Sequence, residues 1–340
     1  MIGNHVRNGI QRRNFLKQAS LTAVAGCLPV SLVELAFGKP EENVRFAYIS
    51  DSHIEHIRGN RFVRDWDRSL RQAVTEANRL VPRADFVVFG GDLAESGTKP
   101  ELDHGAEILS GLNGPVHHVM GEHDYYLDLG EYWSRLFGRD HYSFDVKGVH
   151  FVVLNSILTC DEWTRGRWPT AGARMNAMAG LDNPKGSPFM VGEQQRAWLR
   201  NDLAGLSRQT PVVVFSHAPL QKIHKAWNFW TDDAELVQEI LQPFDQVTVL
   251  YGHVHQMQAS RIGNIRFQSV MATAWPWPDL QDYSVVAGSL PTLTIPTARA
   301  GTALDGDSTG WQFIDVSTGK AEVTYLRPGG AMARPSQRAG

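Results

Sequence analysis

The chain has 340 residues, of which 42% are hydrophobic and 20% are charged, and its formal net charge at pH 7 is −3. The length is sufficient for a large single-domain core, and the composition is typical of a globular, soluble protein. A negative net charge disfavours binding to polymeric nucleic acid, whose phosphates are also negative.

The N-terminus carries a paired arginine, Arg12-Arg13, before an uncharged stretch at 18–33 that is rich in Ala, Leu and Val. This pattern resembles a twin-arginine export signal. The resemblance implies that residues 1–36 are removed, that the export machinery is a partner, and that the protein is periplasmic or secreted. A basic amphipathic helix or a membrane anchor remains an alternative reading of the same stretch.

Residues 24–27 also resemble a lipoprotein processing box, so the protein would be attached to a membrane only if Cys27 is lipidated. Removal of 1–36 takes away four basic side chains and one acidic one, which makes the remaining body more acidic. Cys160 would then be the only cysteine, and an internal disulfide would be impossible.

The first predicted elements alternate between strand and helix. Residues 44–50, 86–89 and 115–120 are apolar runs typical of buried strands, and apolar residues at helical spacing predict a helix over 62–80. Strands buried on both faces and separated by helices indicate an α/β sandwich.

The later elements continue this pattern. Lys147-Gly148 lies between two alternating runs and predicts a hairpin turn. The further predicted elements are strands at 142–146, 149–154, 212–215 and 247–251, helices at 192–206 and 232–241 (the latter capped by Thr231 or Asp232), and a run of antiparallel strands that begins at 261–268 and continues to 326.

Two segments lack periodicity. The segment 160–191 is rich in Gly, Pro, Ala and Met and predicts a long functional or mobile loop. Residues 328–340 predict a disordered tail.

Five short motifs, each at the end of a predicted strand, carry side chains that bind metals. Ligands gather beyond the carboxyl ends of strands in open α/β sheets, so we expect the motifs to converge. Three carboxylates and four imidazoles, with one spare histidine, suit a pair of divalent metals. The motifs are Asp51-Ser52-His53, Gly90-Gly91-Asp92, Gly121-Glu122-His123-Asp124, Ser216-His217-Ala218-Pro219 and Gly252-His253-Val254-His255.

Glycines within these motifs are expected to permit backbone dihedrals that other residues resist, and to let two metals approach closely. They are Gly90, Gly91, Gly121 and Gly252.

Taken in this order, the five motifs resemble those of calcineurin-like metallophosphoesterases, over roughly residues 44–270. The resemblance implies an α/β fold in which two mixed β-sheets pack face to face and are flanked by helices, as a single domain over 37–327. It also implies two metal ions, of Fe, Mn or Zn. The ligands implied are Asp51, His53 and His255 for the first metal, Asp92 as the bridge, and His217 and His253 for the second. Glu122 stands in the place of the amide ligand of the family and is expected to bind the second metal.

Glu122 departs from the family pattern, which has asparagine at this position. A carboxylate there raises the ligand charge, which favours tight metal retention and a less acidic bridging water. The alternative is that Glu122 swings away and leaves the second metal weak or absent.

The resemblance places His123 beside the phosphate, where it assists the leaving oxygen, with Asp124 orienting its imidazole. It implies hydrolysis of a small phosphodiester or phosphomonoester, of cyclic nucleotide or glycerophosphodiester type, by a hydroxide held between the metals. Glu95 occupies the position at which purple acid phosphatases have a tyrosine ligand. The alternatives are a phosphoprotein phosphatase, a metal-binding envelope protein with little activity, and a hydrolase of non-phosphate esters.

Aromatic and arginine residues follow several motifs, and two interpretations are open for them. They form either a lid that reads the substrate through phosphate contacts and ring stacking, or loops that pack on themselves. The residues are Trp163, Arg165, Arg167, Trp168, Arg174, Trp227, Phe229, Trp230, Trp275 and Trp277.

Overall fold

The structure is a computed structural model, and it describes residues 43–57, 61–62, 66–159, 168–178, 189–224, 227–276, 309–317, 320–329 and 332–333. The predicted export signal at 1–36 and both cysteines lie outside the described residues. None of the helices in the described ranges combines the length and the apolar character needed to cross a membrane.

Eighteen strands and seven helices make up these ranges. The strands are β1 (Val44–Ile49), β2 (His56–Ile57), β3 (Arg61–Phe62), β4 (Phe86–Phe89), β5 (Val116–His118), β6 (Tyr142–Val146), β7 (Val149–Val153), β8 (Leu158–Thr159), β9 (Phe189–Met190), β10 (Val212–Ser216), β11 (Lys222–His224), β12 (Phe229–Trp230), β13 (Val247–Tyr251), β14 (Ala259–Ile262), β15 (Ile265–Ser269), β16 (Trp311–Ser317), β17 (Lys320–Leu326) and β18 (Met332–Ala333). The helices are α1 (Trp66–Ala77), α2 (Lys99–Leu109), α3 (Glu122–Tyr125), α4 (Glu131–Phe137), α5 (Ala171–Met178), α6 (Glu193–Leu203) and α7 (Ala234–Leu241).

Two six-stranded mixed sheets form the centre of the fold. The first has the order β18-β17-β16-β1-β4-β5, in which β1, β4 and β5 are parallel. The second has the order β14-β15-β13-β10-β7-β6, in which β15, β13, β10 and β7 are parallel. The parallel strands of each sheet therefore end at a common edge.

The facing sides of the sheets pack through large aromatic side chains. Phe46 stacks on Phe86 with ring centroids 4.7 Å apart and meets Phe151 and Phe215 edge-on. Alternate residues of the same strands point outward, where α1 and α2 cover the first sheet and α6 and α7 cover the second. The predicted four-layer α/β sandwich is confirmed.

The hairpin predicted at Lys147-Gly148 is confirmed, since both residues have positive φ and Val146 pairs with Val149. The helix predicted over 62–80 begins only at Trp66, because Arg61–Phe62 pairs with β2 as a short antiparallel ribbon. Phe62 matches the helical spacing in the sequence, but its backbone pairs within that ribbon.

Three other predictions need correction. The aperiodic segment 160–191 contains helix α5 and strand β9. Strand β15 pairs with β14 antiparallel but with β13 parallel, so it does not begin a purely antiparallel run. Within the tail predicted to be disordered, β18 pairs with β17, and 334–340 lie outside the described residues.

The residue that precedes α7 is Asp233, not Thr231 or Asp232. Its carboxylate accepts hydrogen bonds from the N–H groups of Val191 and Gly192, both at 2.8 Å, and pairs with Arg196. Asp233 therefore joins the start of α7 to the start of α6.

Candidate metal centre

The loops after β1, β4, β5, β10 and β13 meet at one edge of the sandwich. Within the first sheet, the N–H of Asp51 donates to Gly91 O and that of His53 donates to Asp92 O, both at 3.0 Å. Between the sheets, the N–H of His253 donates to Asp51 Oδ1 at 3.0 Å. The convergence follows from the parallel strands, whose carboxyl ends share this edge.

Seven buried side chains form two clusters at this edge, and in each cluster the ligand atoms lie within 4.8 Å of one another. Asp92 belongs to both clusters, which is the position a bridging ligand must have. The first cluster is Asp51, His53, Asp92 and His255, and the second is Asp92, Glu122, His217 and His253.

In the first cluster, four side chains from three motifs turn toward one point. His255 Nε2 lies 3.1 Å from Asp51 Oδ1 and 3.1 Å from His53 Nε2. His53 Nε2 lies 3.6 Å from Asp92 Oδ2. These spacings bring the ligand atoms as close as the donors around a single cation.

In the second cluster, Glu122 turns inward between two imidazoles. Its Oε2 lies 2.8 Å from His217 Nε2, and its Oε1 lies 2.5 Å from His253 Nδ1. His217 Nε2 also lies 3.2 Å from Asp92 Oδ2. The structure therefore places Glu122 within the cluster rather than turned away from it.

One buried polar atom of the first cluster, Asp51 Oδ2, has no hydrogen-bond partner. Such atoms are costly unless something else binds them. The donor set of carboxylates and imidazoles is the one that Zn, Fe and Mn take in proteins, so the residues fit a pair of metal ions.

The electrostatics of the clusters also favour cations. Burial lowers the pKa of His217, but the neighbouring carboxylates of Asp92, Glu122 and Asp51 outweigh burial and hold it well above the ordinary value. Burial raises the pKa of Asp51, but His255 and His217 outweigh it and hold that pKa below the usual range. The carboxylates therefore stabilise positive charge on the neighbouring imidazoles. Bound metal ions would supply that positive charge in place of protons.

Each of the four imidazoles is held from behind by a hydrogen bond to the nitrogen that points away from the cluster. Such bonds fix the orientation of a ring and the nitrogen that it offers to a metal. The contacts are His53 Nδ1 to Glu95 Oε2 at 2.9 Å, His217 Nδ1 to Gly90 O at 2.7 Å, His253 Nε2 to Asn228 O at 3.1 Å, and His255 Nδ1 to Trp275 O at 2.7 Å.

The backbone of the cluster residues is strained. Five of the seven side chains belong to residues with φ between 45° and 65°, a left-handed conformation that is rare for residues other than glycine. Such residues persist where the surrounding structure holds them. They are Asp51, His53, Asp92, His253 and His255.

The motif glycines are required mainly by space. A Cβ on Gly121 would lie 2.1 Å from Asp92 Oδ1, and one on Gly252 would lie 2.7 Å from Asp51 Oδ2. Gly91 alone among the four has a positive φ, at 103°. The expectation that all four glycines supply unusual dihedrals is therefore wrong, because the ligand residues themselves adopt most of those dihedrals.

His123 lies partly buried beside both clusters. Its N–H donates to Asp92 Oδ1 at 3.0 Å, and its Nδ1 contacts the carbonyl of Glu95 at 2.5 Å. Burial lowers the pKa of His123, but the carboxylates of Asp92, Glu95 and Glu122 outweigh it and raise the pKa to about 9. These carboxylates therefore favour the protonated form of the ring.

Asp124 does not orient this ring. Its two carboxylate oxygens accept hydrogen bonds from the N–H of Ala94 at 3.0 Å and the N–H of Gly121 at 3.1 Å. It closes the first turn of α3 and ties that turn to the loop after β4. The carbonyl of Glu95 holds the imidazole of His123 instead, a role that side-chain identity alone could not indicate.

Most of the aromatic and arginine candidates that the structure describes pack within the fold, and Trp275 lies at the clusters. Arg174 is buried and donates to the carbonyls of Tyr126 and Leu127, so its guanidinium is used in the fold. Trp275 reaches the clusters, with its ring centroid 4.1 Å from that of His53. Trp168, Trp227 and Phe229 pack on the outer cores, and Trp230 bonds Asp232, whereas Trp163, Arg165, Arg167 and Trp277 lie outside the described residues.

A sequence profile of the calcineurin-like phosphoesterases matches residues 44–257, which contain both clusters. The chain belongs to this family. Among solved structures, this calcineurin-like phosphoesterase is similar to a dimetal phosphatase from Danio rerio, with a TM-score of 0.53 and 18% identity over 83% of this chain and 99% of the other. That likeness shows a shared fold.

Three proteins are similar in sequence to this chain over part of its length. A probable cyclic nucleotide phosphodiesterase of Rhodopseudomonas palustris is 29% identical, over 52% of this chain and 57% of its own length. The serine/threonine-protein phosphatase CPPED1 of Danio rerio is 27% identical, over 56% of this chain and 62% of its own. A probable glycerophosphodiester phosphodiesterase of Arcobacter nitrofigilis is 26% identical, over 62% of this chain and 72% of its own. The chain thus spans about three fifths of the first two relatives.

Proposed function

We propose that the protein is an exported dimetal phosphoesterase that hydrolyses a small phosphodiester or phosphomonoester. The observation that carries the proposal is the pair of buried clusters that share Asp92. Two relatives named as phosphodiesterases, one for cyclic nucleotides and one for glycerophosphodiesters, support a small substrate of this class.

The seven cluster residues would hold two metal ions of Fe, Mn or Zn type, with Asp92 between them. When bound, such ions polarise the phosphoryl oxygens and supply an activated water as the nucleophile. The role of the protein is to fix the ligand atoms in place, since each imidazole is held from behind and most ligand residues are locked in one backbone conformation.

His123 is the proposed catalytic residue outside the ligand set. Its Nδ1 is bound to the carbonyl of Glu95, so Nε2 is the nitrogen that remains to face a substrate. The surrounding carboxylates favour the protonated ring, which can supply the proton that a departing alkoxide requires. Asp124 supports His123 indirectly by holding the turn that contains it.

The paired arginine and the apolar stretch within 1–36 support export through the twin-arginine machinery to the periplasm or the outside of the cell. That pathway carries folded proteins, which suits a protein with metals already bound. A fusion of 1–36 to a reporter, compared with an Arg12→Lys, Arg13→Lys version, tests this part. Export that survives both substitutions would contradict it.

The hydrolase proposal is tested on the chain without residues 1–36. We expect two metals per chain and hydrolysis of bis-nitrophenyl phosphate, nitrophenyl phosphate or both. Asp92→Ala should lose both metals and all turnover, whereas His123→Ala should keep both metals and lose turnover by about a hundredfold or more. Metal-loaded protein that cleaves no phosphoester would instead support a metal-binding role.

A phosphoprotein phosphatase is the second candidate, because one relative is named as a serine/threonine-protein phosphatase. A phosphoserine peptide assayed beside the two nitrophenyl esters separates the candidates. Turnover of the peptide well above that of the small esters would favour the phosphatase. A panel of phosphate-free esters serves as the control for other hydrolase classes.

A further inference from the structure

The two clusters have equivalent ligand sets. Each has one carboxylate of its own, Asp51 in the first and Glu122 in the second, and each shares Asp92 and adds two imidazoles. The asparagine typical of the family would make the second set less negative, but Glu122 removes that difference. The groups behind the ligands are therefore one source of a preference between the two metals.

One ligand differs from the others in the group that holds it. The outer nitrogens of His217, His253 and His255 face main-chain carbonyls, which are neutral. The outer nitrogen of His53 faces the carboxylate of Glu95 at 2.9 Å. A carboxylate partner makes an imidazole a stronger metal ligand than a carbonyl does, because it stabilises positive charge on the ring.

Glu95 is well placed to hold His53. Its N–H donates to the carbonyl of Ile54 at 2.9 Å, which fixes the loop after β4 against the loop that carries His53. Its own carbonyl contacts His123 Nδ1 at 2.5 Å. Its side chain is only 28% exposed. One residue thus connects a first-cluster ligand to the proposed catalytic histidine.

We infer that Glu95 is a positioning residue that makes the first metal site tighter than the second, through the hydrogen bond from its carboxylate to His53. The inference rests on the metal centre of the proposed function, but it does not depend on which ester is cleaved. The carbonyl of Glu95 that contacts His123 belongs to the main chain, so a change of side chain keeps that hydrogen bond. Because the carboxylate also raises the pKa of His123, the test measures metal affinity rather than turnover.

The test compares Glu95→Gln with wild-type protein. Glutamine keeps an acceptor oxygen and removes the charge. Glu107→Gln is the matched control, because Glu107 lies 3.8 Å from the imidazole of His104, which is not in either cluster. Metal-free protein is titrated with Co²⁺ against a chromophoric chelator, and the absorption of Co²⁺ reports each binding step.

We expect two unequal dissociation constants in the wild type. Glu95→Gln should weaken the tighter step by about 10- to 100-fold and leave the weaker step unchanged. Glu107→Gln should change neither step. Glu95→Asp, which keeps the charge, should retain more affinity than Glu95→Gln and serves if the glutamine variant does not fold.

Three results would overturn the inference. They are unchanged constants in Glu95→Gln, equal weakening of both steps, and a third bound Co²⁺ that disappears in Glu95→Gln, which would make Glu95 itself a ligand. Wild-type protein that binds two Co²⁺ but cleaves no ester would refute the proposed hydrolysis and leave the role of Glu95 intact. Wild-type protein that binds no metal would refute both.

Discussion

At the scale of single residues, Glu122 places a negative charge between His217 and His253, with carboxylate oxygens 2.8 and 2.5 Å from their ring nitrogens. The amide typical of the family would offer one neutral oxygen there. The carboxylate would therefore hold a bound metal more tightly and make the water that such a metal activates harder to deprotonate.

Replacing Glu122 tests this directly. Glu122→Asn should keep a working site and release the second metal more readily to a chelator. Its activity should begin to rise at a lower pH than that of the wild type. Glu122→Ala, which removes the ligand, should lose the second metal. Metal content after dialysis against a chelator and the pH profile for bis-nitrophenyl phosphate are the measurements. Full metal retention in Glu122→Ala would exclude Glu122 as a ligand.

Gly121 tests the steric requirement of the site. Gly121→Ala would place a methyl group 2.1 Å from Asp92 Oδ1, so Asp92 must move and both metals should bind at least tenfold more weakly. Gly205→Ala is the control, because no atom lies within 4 Å of its added Cβ. Isothermal titration of both variants with Mn²⁺ gives the comparison. Equal Mn²⁺ affinities of the two variants would show that the loop accommodates the added methyl group without weakening metal binding.

The ligand residues could be predicted because they occur in motifs, but the residues behind them could not. Glu95 lies 42 positions from His53 along the chain, and Asn228 lies 25 positions from His253. No local pattern connects these pairs, and for Asn228 and Trp275 the contact is made by a carbonyl, which every residue has. The prediction that Asp124 orients His123 fails for the same reason, because Asp124 accepts from main-chain N–H groups instead.

At the scale of elements, β5 shows how one strand serves two layers. His117 stacks on Phe144 of β6 with centroids 3.6 Å apart, whereas His118 stacks on Phe137 of α4 at 4.2 Å. Successive side chains of a strand point to opposite faces, so the pair contacts both sides of the sheet. Burial lowers the pKa of both imidazoles to about 4.

These histidines should make the fold sensitive to acid. The unfolded chain binds a proton near pH 6.5, whereas the folded chain does so only near pH 4, so stability is lost as the pH falls from about 6.5 to 4. His117→Phe should reduce the loss of unfolding free energy between pH 7.5 and 5 by about 1 kcal/mol, after allowance for partial exposure. Urea unfolding at both pH values measures it. An unchanged pH dependence would contradict the argument.

Elements were predicted best where burial alone decides them. Residues 86–89 are apolar throughout because β4 is covered on both faces, and its predicted bounds are confirmed. Boundaries set by distant partners were missed. The start of α7 depends on contacts of Asp233 with residues about 40 positions away, and α1 begins late because β2 pairs with β3.

At the scale of the whole molecule, the site joins the two sheets. Asp51, His53, Asp92 and Glu122 follow strands of the first sheet, whereas His217, His253 and His255 follow strands of the second. Each cluster takes ligands from both sheets, so each metal would link them at this edge. The order of the five motifs predicted that the ligands meet at one edge. It did not predict that each cluster takes ligands from both sheets.

Metal removal should therefore destabilise the fold. A metal present at a thousandfold excess over its dissociation constant stabilises the folded state by about 4 kcal/mol. Chelation should lower the melting temperature by about 10 °C, as measured by calorimetry with and without added Mn²⁺. Asp92→Ala should show the low melting temperature under both conditions. A wild-type melting temperature indifferent to chelator would mean that the metals do not hold the sheets together.

The left-handed backbone at five ligand residues has a consequence for how metals are exchanged. The folded protein already holds these side chains toward the clusters, so a metal ion can bind without rearrangement of the loops. Uptake should then be as fast as the ion can shed its water and reach the edge of the sandwich. A cell with a changing supply of iron, manganese or zinc could refill this site without unfolding the protein.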